Sequence, residues 1–178
     1  MIRCVTSAFR RFRDDEDGSM VVPFALWLPV FTALMISGIE LGAVSARSTA
    51  LERALDQTVR DIRLGTGTVY DHDSIKAAIC DRAEILPDCS QTLRLEMVRL
   101  NIRDWSDPDP VIQCIDTAEE VQPVVSFEYG RENELMMLRA CFKYQPISPA
   151  TGLGSALSTD AAGYSVLVAK AAFVQEPI

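Results

Sequence analysis

Few side chains in this 178-residue chain have the type and spacing that chemistry requires. The single histidine, His72, sits in Tyr70-Asp71-His72-Asp73. Nucleophilic catalysis would need a nucleophile placed beside it, and a metal site a second histidine or a spaced carboxylate cluster. Neither is evident, so the segment reads as a turn before a helix. Asp104, Asp107 and Asp109 could offer oxygens to calcium, but calcium-loop spacing and its glycine are missing, and a solvated turn is expected. No glycine-rich phosphate loop occurs. Nothing reads as an enzyme, and no catalytic residue, cofactor or metal is expected.

The cysteines offer a different chemistry. Cys4 stands alone near the start, while Cys80, Cys89, Cys114 and Cys141 follow in an even set without CxxC spacing. That disfavours zinc and redox motifs and fits disulfides in an oxidising compartment. Four cysteines allow three connectivities. Cys80 and Cys89 are separated by eight intervening residues across Leu86-Pro87, an easy local pair that leaves Cys114 for Cys141.

The element that must position all of this is Met20–Ile39, MVVPFALWLPVFTALMISGI, which carries no charge. As a helix these residues reach about 30 Å, the thickness of a bilayer's hydrocarbon core. A core helix of a globular protein would show a polar stripe, and this run shows none. Arg3, Arg10, Arg11 and Arg13 precede it, whereas Arg47 and Arg53 are the first basic residues after it. Counting basic residues places the N-terminus in the cytoplasm. A cleaved secretory signal ending near Ala43-Val44-Ser45 competes, but the apolar run is longer than such signals use and Glu40 interrupts it.

Beyond the membrane segment, about 130 residues remain, enough for one domain with its own core. Without the four leading arginines the 17 basic residues fall to 13; without Asp14, Asp15, Glu16, Asp17 and Glu40 the 25 acidic ones fall to 20. Residues 45–178 thus carry a charge near −7, which argues against nucleic acid as a partner.

Helical periodicity continues through Leu51, Leu55, Val59 and Ile62, predicting one helix from about residue 20 to 64 that ends near Gly65-Thr66-Gly67. Pro29 should loosen it mid-span. A short helix is expected from Asp73 or Ser74 to Leu86, stopped by Pro87. The alternation Leu93, Leu95, Met97 then slips to Val98, Leu100, Ile102, which predicts a strand with a bulge near Met97-Val98. Val124–Tyr129 and Leu135–Tyr144 read as a hairpin about Gly130-Arg131-Glu132-Asn133. A Pro- and Gly-marked loop spans Pro146 to Gly163. Tyr164–Val174, apolar on both faces, reads as a central strand. The fold class expected is α+β: a long N-terminal helix, transmembrane then amphipathic, packed on a small antiparallel sheet.

Glu40 stands at the end of the span, where a carboxylate can meet water. Its helical neighbours Ile36, Ser37, Ala43 and Val44 include no cation, so a charged partner would have to come from elsewhere, such as another subunit. Gly38 and Gly42, four apart, form a small-xxx-small pair that would let a neighbouring helix approach closely beside Glu40.

The stretches DEDGSMVVPFALWLPVF and GIELG, together with LRACFKYQPISPATGLG and the ending AAFVQEP, resemble the TadE-like family of tight-adherence pilus proteins. The likeness covers most of the chain and is weakest between residues 66 and 115. It implies a pilin-like minor pseudopilin in the bacterial inner membrane, with residues 1–18 a cytoplasmic leader, 19–44 the transmembrane helix and 45–178 a periplasmic domain. It further implies a prepilin peptidase cutting between Gly18 and Ser19. Other pilus or pseudopilin subunits, the inner-membrane assembly platform and membrane lipid would be its partners. The family's processed members carry Glu at the fifth mature position, where this chain has Pro23. The competing class is a membrane-anchored extracytoplasmic binding module that enters no filament.

Overall fold

A computed structural model of the chain describes residues 13, 20–64, 71–101, 103–105, 114, 127–128, 130–131 and 132–176. Its first element, α1 (Val21–Arg63), is a single 43-residue helix. Pro29 lies inside it without ending it, although its ring removes the bond to the Ala25 carbonyl. The helix ends at Arg63 with Leu64 as its C-cap, where the periodicity predicts; the expected cap region Gly65–Gly67 lies outside the described residues.

The C-terminal half of α1 is amphipathic as its three- and four-residue spacing requires. Leu51, Ala54, Leu55, Thr58, Val59 and Ile62 are buried, and each large aliphatic side chain so buried is worth about 1.5–3 kcal/mol. Helix α2 (His72–Arg82) packs against this half. Asp71 caps it: its carboxylate accepts from the Ser74 amide while the Ser74 hydroxyl serves the Asp71 backbone, a reciprocal capping box. The helix ends at Arg82, four residues before the expected stop at Leu86. Ala83 and Leu86 turn inward and are buried, and the Cys80–Cys89 disulfide draws the chain back into the one-turn helix α3 (Cys89–Thr92).

Among the described residues, three strands form one antiparallel sheet in the order β1 (Leu93–Leu100), β2 (Leu135–Tyr144), β3 (Ser165–Val174). Met136, Leu138, Ala140, Phe142 and Tyr144 share the face of β2 expected from its alternation, and all are buried. Facing them from β1 and β3 are Leu93, Leu95, Met97, Ala169 and Phe173, and the helices close the core over this side. The expected α+β architecture is what the chain adopts.

Three strand-level expectations need correction. β1 has no bulge: its register with β2 runs one to one from Leu93↔Phe142 to Leu100↔Leu135. Val98 and Leu100 are half-buried on the opposite face while Arg99, still on the core side, is exposed and pairs with Glu134. The slip in apolar phase therefore marks the end of helix cover, not an extra residue. The hairpin of Val124–Tyr129 with β2 does not form at its described residue Phe127, which bridges Met97 of β1 in parallel; residues 124–126 and 129 lie outside the described set. Both sides of β2 are already taken by β1 and β3. The turn at Arg131–Glu134, with Asn133 at φ 63°, instead joins Gln175 beyond β3 through the Asn133 amide and the Glu134 carbonyl. Finally, among the described residues β3 is an edge strand. One face packs on α1, while Val166, Val168 and Val174 on the other are exposed.

Two disulfides complete the domain. Cys80 bonds Cys89 and Cys114 bonds Cys141, the pairing predicted from spacing, with Cα separations of 5.6 and 5.5 Å. Arg82 ties α2 to α1 by donating to the Thr58 hydroxyl at 2.7 Å and pairing with Asp61.

Candidate functional site

The N-terminal half of α1 has almost no cover. Met20 is 82% exposed and Trp27 70%, and Phe24, Leu26, Phe31, Leu34, Met35 and Ile39 are likewise open. This is a helix long and apolar enough to span a membrane. Its two hydroxyls are satisfied inside the helix: Thr32 donates to the Leu28 carbonyl at 2.8 Å and Ser37 to the Ala33 carbonyl at 2.7 Å. A bilayer demands such internal pairing, because its core offers no water to bond with.

Where this bare half meets the domain, one cluster holds the two together. Glu40 is only 1% exposed. Its Oε2 accepts from the Ser148 amide at 3.0 Å, a contact across 108 residues of chain. Its Oε1 is buried with no hydrogen-bond partner among the described residues. One turn below, the Ser37 hydroxyl accepts from the Leu153 amide at 3.1 Å. Two turns above, toward the domain, the Arg47 guanidinium lies over the Tyr144 ring at 5.2 Å, within the range of a cation–π contact. Burial pushes the Tyr144 phenol above its ordinary pKa, the Ser165 hydrogen bond pulls it down, and the nearby Glu40 charge raises it further. Ala33, Ser37, Glu40, Val44, Arg47 and Leu51 recur at helical spacing, so one face of α1 runs from these contacts with Ser148 and Leu153 into the core.

Glu40 is therefore covered by its own chain, which also supplies the donor to its Oε2. The loop that supplies it is Ser148–Leu157, with a single 3₁₀ turn at Gly154–Ala156. Close approach is built into it. A Cβ at Gly152 (φ +61°) would stand 2.6 Å from the Ser37 Oγ, and one at Gly154 would stand 2.3 Å from the Ser148 carbonyl oxygen. Sequence reasoning missed this strap, although a signal was available: residues 145–159 carry no charge in a chain that is 24% charged.

Gly38 and Gly42 lie elsewhere. Both are exposed, with open space over their Cα atoms. Glu40, two residues from each, is about 200° around the helix from them. The three residues expected to form one helix-packing surface are thus divided between two faces. Gly18 and Ser19, the expected cleavage site, lie outside the described residues.

The remaining candidates occupy structural positions. His72 opens α2, its Nδ1 3.0 Å from Asp73 and its ring edge-on to Phe127 at 5.1 Å. Asp104 is exposed; Asp107 and Asp109 lie outside the described residues. Among the described residues no group of three or more His, Cys, Asp or Glu side chains could hold a metal ion. On the outer face of the sheet, Arg139 pairs with Glu96, and Lys143 donates to Asp160 at 2.7 Å. Burial raises the Asp160 carboxyl's pKa, but the Lys143 bond, the Tyr164 and Ala162 amides and the Lys143 charge together hold it below its ordinary value.

No family model, no curated protein and no solved structure matches the chain.

Proposed function

We propose that this protein is a single-pass, membrane-anchored, pilin-like component of a tight-adherence pilus, working through contacts of its anchor helix and its domain. One observation carries the reading: a single helix is bare and apolar over its first half and packed on a disulfide-bonded sheet over its second. A helix in lipid gains nothing from hydrophobicity against another helix, so lateral association rests on close approach. The exposed Gly38 and Gly42 offer that approach. The leading arginines support an orientation with the N-terminus in the cytoplasm and the disulfides in the periplasm.

The deciding experiment is intact-mass analysis of the protein from cells that carry a prepilin peptidase, with membrane fractionation alongside. A mature N-terminus at Ser19 supports the pseudopilin. An unprocessed Met1 in the membrane fraction leaves an anchored protein outside the filament pathway, and a soluble product starting at Ala46 removes the anchor altogether. Co-purification of other pilus proteins should fall for Gly38→Leu and Gly42→Leu at normal membrane level, and hold for the exposed control Glu52→Gln. A second reading, an anchored binding module, rests on the exposed apolar row Val166, Val168 and Val174 of β3. Normal pilus assembly without the protein would favour it.

A further inference from the structure

We infer that the strap formed by residues 145–159 is itself a membrane-contacting element, lying in the outer lipid boundary against the helix it grips. The inference rests on the anchor reading above and adds a second point of contact with the same bilayer. Its starting point is depth. Ser37 and Ala33 belong to the charge-free run that ends at Ile39, about 3 and 9 Å below that end at 1.5 Å per residue. The strap reaches both: Leu153 donates to Ser37, and a Cβ at Gly152 would stand 3.4 Å from the Ala33 carbonyl oxygen.

The burial of Glu40 removes the only charge that would set the water line there. Between Asp17 and Arg47 no other charged residue occurs. From Val21 to Ala46 the helix then presents an uncharged surface about 39 Å long, more than the hydrocarbon core and close to a bilayer with its headgroup layers. A strap attached to Ala33–Glu40 lies inside that thickness.

The strap's own chemistry fits. QPISPATGLGSALST, residues 145–159, has no charge, whereas the domain around it is strongly acidic. Ile147 is 55% exposed although large and apolar. Part of the strap's backbone is already paired within the protein, which lowers the cost of leaving water. Pro146 and Pro149 have no amide hydrogen, and the amides of Ser148, Thr151, Leu153, Ala156 and Leu157 are all bonded. The Ser148 and Thr151 hydroxyls pair at 2.6 Å, and Ser155 donates to the Gly152 carbonyl. Among the described residues outside the anchor, the strap combines lack of charge, an exposed large aliphatic and attachment to the anchor.

The test is nitroxide depth measurement on the full chain in phosphatidylethanolamine–phosphatidylglycerol vesicles. Cys4→Ser removes the spare thiol while both disulfides are kept. Single labels go on Ile147→Cys, Leu34→Cys in the anchor and Lys170→Cys on the exposed face of β3. Accessibility to oxygen, which concentrates in lipid, is compared with accessibility to a water-soluble nickel chelate. The expected result groups residue 147 with residue 34, both oxygen-favoured, and leaves residue 170 nickel-favoured. If residue 147 groups with residue 170 while residue 34 stays in lipid, the strap inference is overturned and the anchor stands. A nickel-favoured residue 34 overturns both. A label on Ala150→Cys, also exposed, repeats the measurement where a fold defect at 147 would otherwise blur it.

Discussion

Alanine at Gly154 tests the strap's grip on the helix most directly. The added Cβ would stand 2.3 Å from the Ser148 carbonyl oxygen and 2.9 Å from its carbon. Carbon–oxygen contacts normally stay beyond about 3.3 Å, so one backbone segment has to move by about 1 Å. Ser148 is also the residue whose amide bonds Glu40 at 3.0 Å, and a shift of that size takes it past hydrogen-bonding distance. Overpacking costs about 1–3 kcal/mol, and a hydrogen bond to a charged group is worth about 1.5–3 kcal/mol. Both follow from one displacement and overlap, so a total of about 2–4 kcal/mol is expected. The control is Gly163→Ala: φ is +81° but nothing lies within 4 Å, so only backbone strain of about 1–2 kcal/mol applies. The assay is thermal unfolding of the full chain in detergent, followed by near-ultraviolet dichroism of the domain, with amide exchange at Ser148. At about 3–5 °C per kcal/mol for a domain of this size, Gly154→Ala should lower the midpoint well below that of the control. A Gly154→Ala protein as stable as the control, with Ser148 still protected, would refute the strap geometry.

Other perturbations follow from the same packing. In the chain-entropy model, losing the Cys114–Cys141 bond, sequence separation 27, costs about 3.5 kcal/mol against about 2.6 kcal/mol for Cys80–Cys89, separation 9; paired Cys→Ala variants compared by denaturant midpoint should rank in that order, and the reverse order would count against it. Leu138→Ala empties a fully buried site and should cost about 2–5 kcal/mol, whereas Val168→Ala on the exposed face should stay within about 0.5 kcal/mol in the same melt. Asp160 has its carboxyl held below the ordinary value in the folded state. Its contribution is therefore complete above the unfolded carboxylate pKa of about 3.9 and is lost as pH falls through the lower folded value. An Asp160→Asn protein should accordingly show a flatter loss of stability in that acidic window, and an unchanged profile would remove Lys143–Asp160 from the account.

What the sequence alone determined about this protein are the features that depend on nearby residues. The bare helix is legible because hydropathy over Met20–Ile39 is a property of consecutive side chains. The amphipathic continuation through Leu51 and Ile62, the core face of β2 and the Cys80–Cys89 pair all lie within the reach of one period or one turn. Tertiary structure alone decided which sides were left over. Val166 and Val168 read the same whether β3 is central or at an edge, because alternation records apolarity and not the presence of a second layer. Val98 and Leu100 mimicked a bulge because helix cover stops before the strand does. Glu40 was the largest change of meaning. Its helical neighbours offer no charged partner, and its donor, the Ser148 amide, lies 108 residues away on a strap whose route no local pattern specifies. A carboxylate reads as solvated until something covers it, and only the folded chain brings the cover.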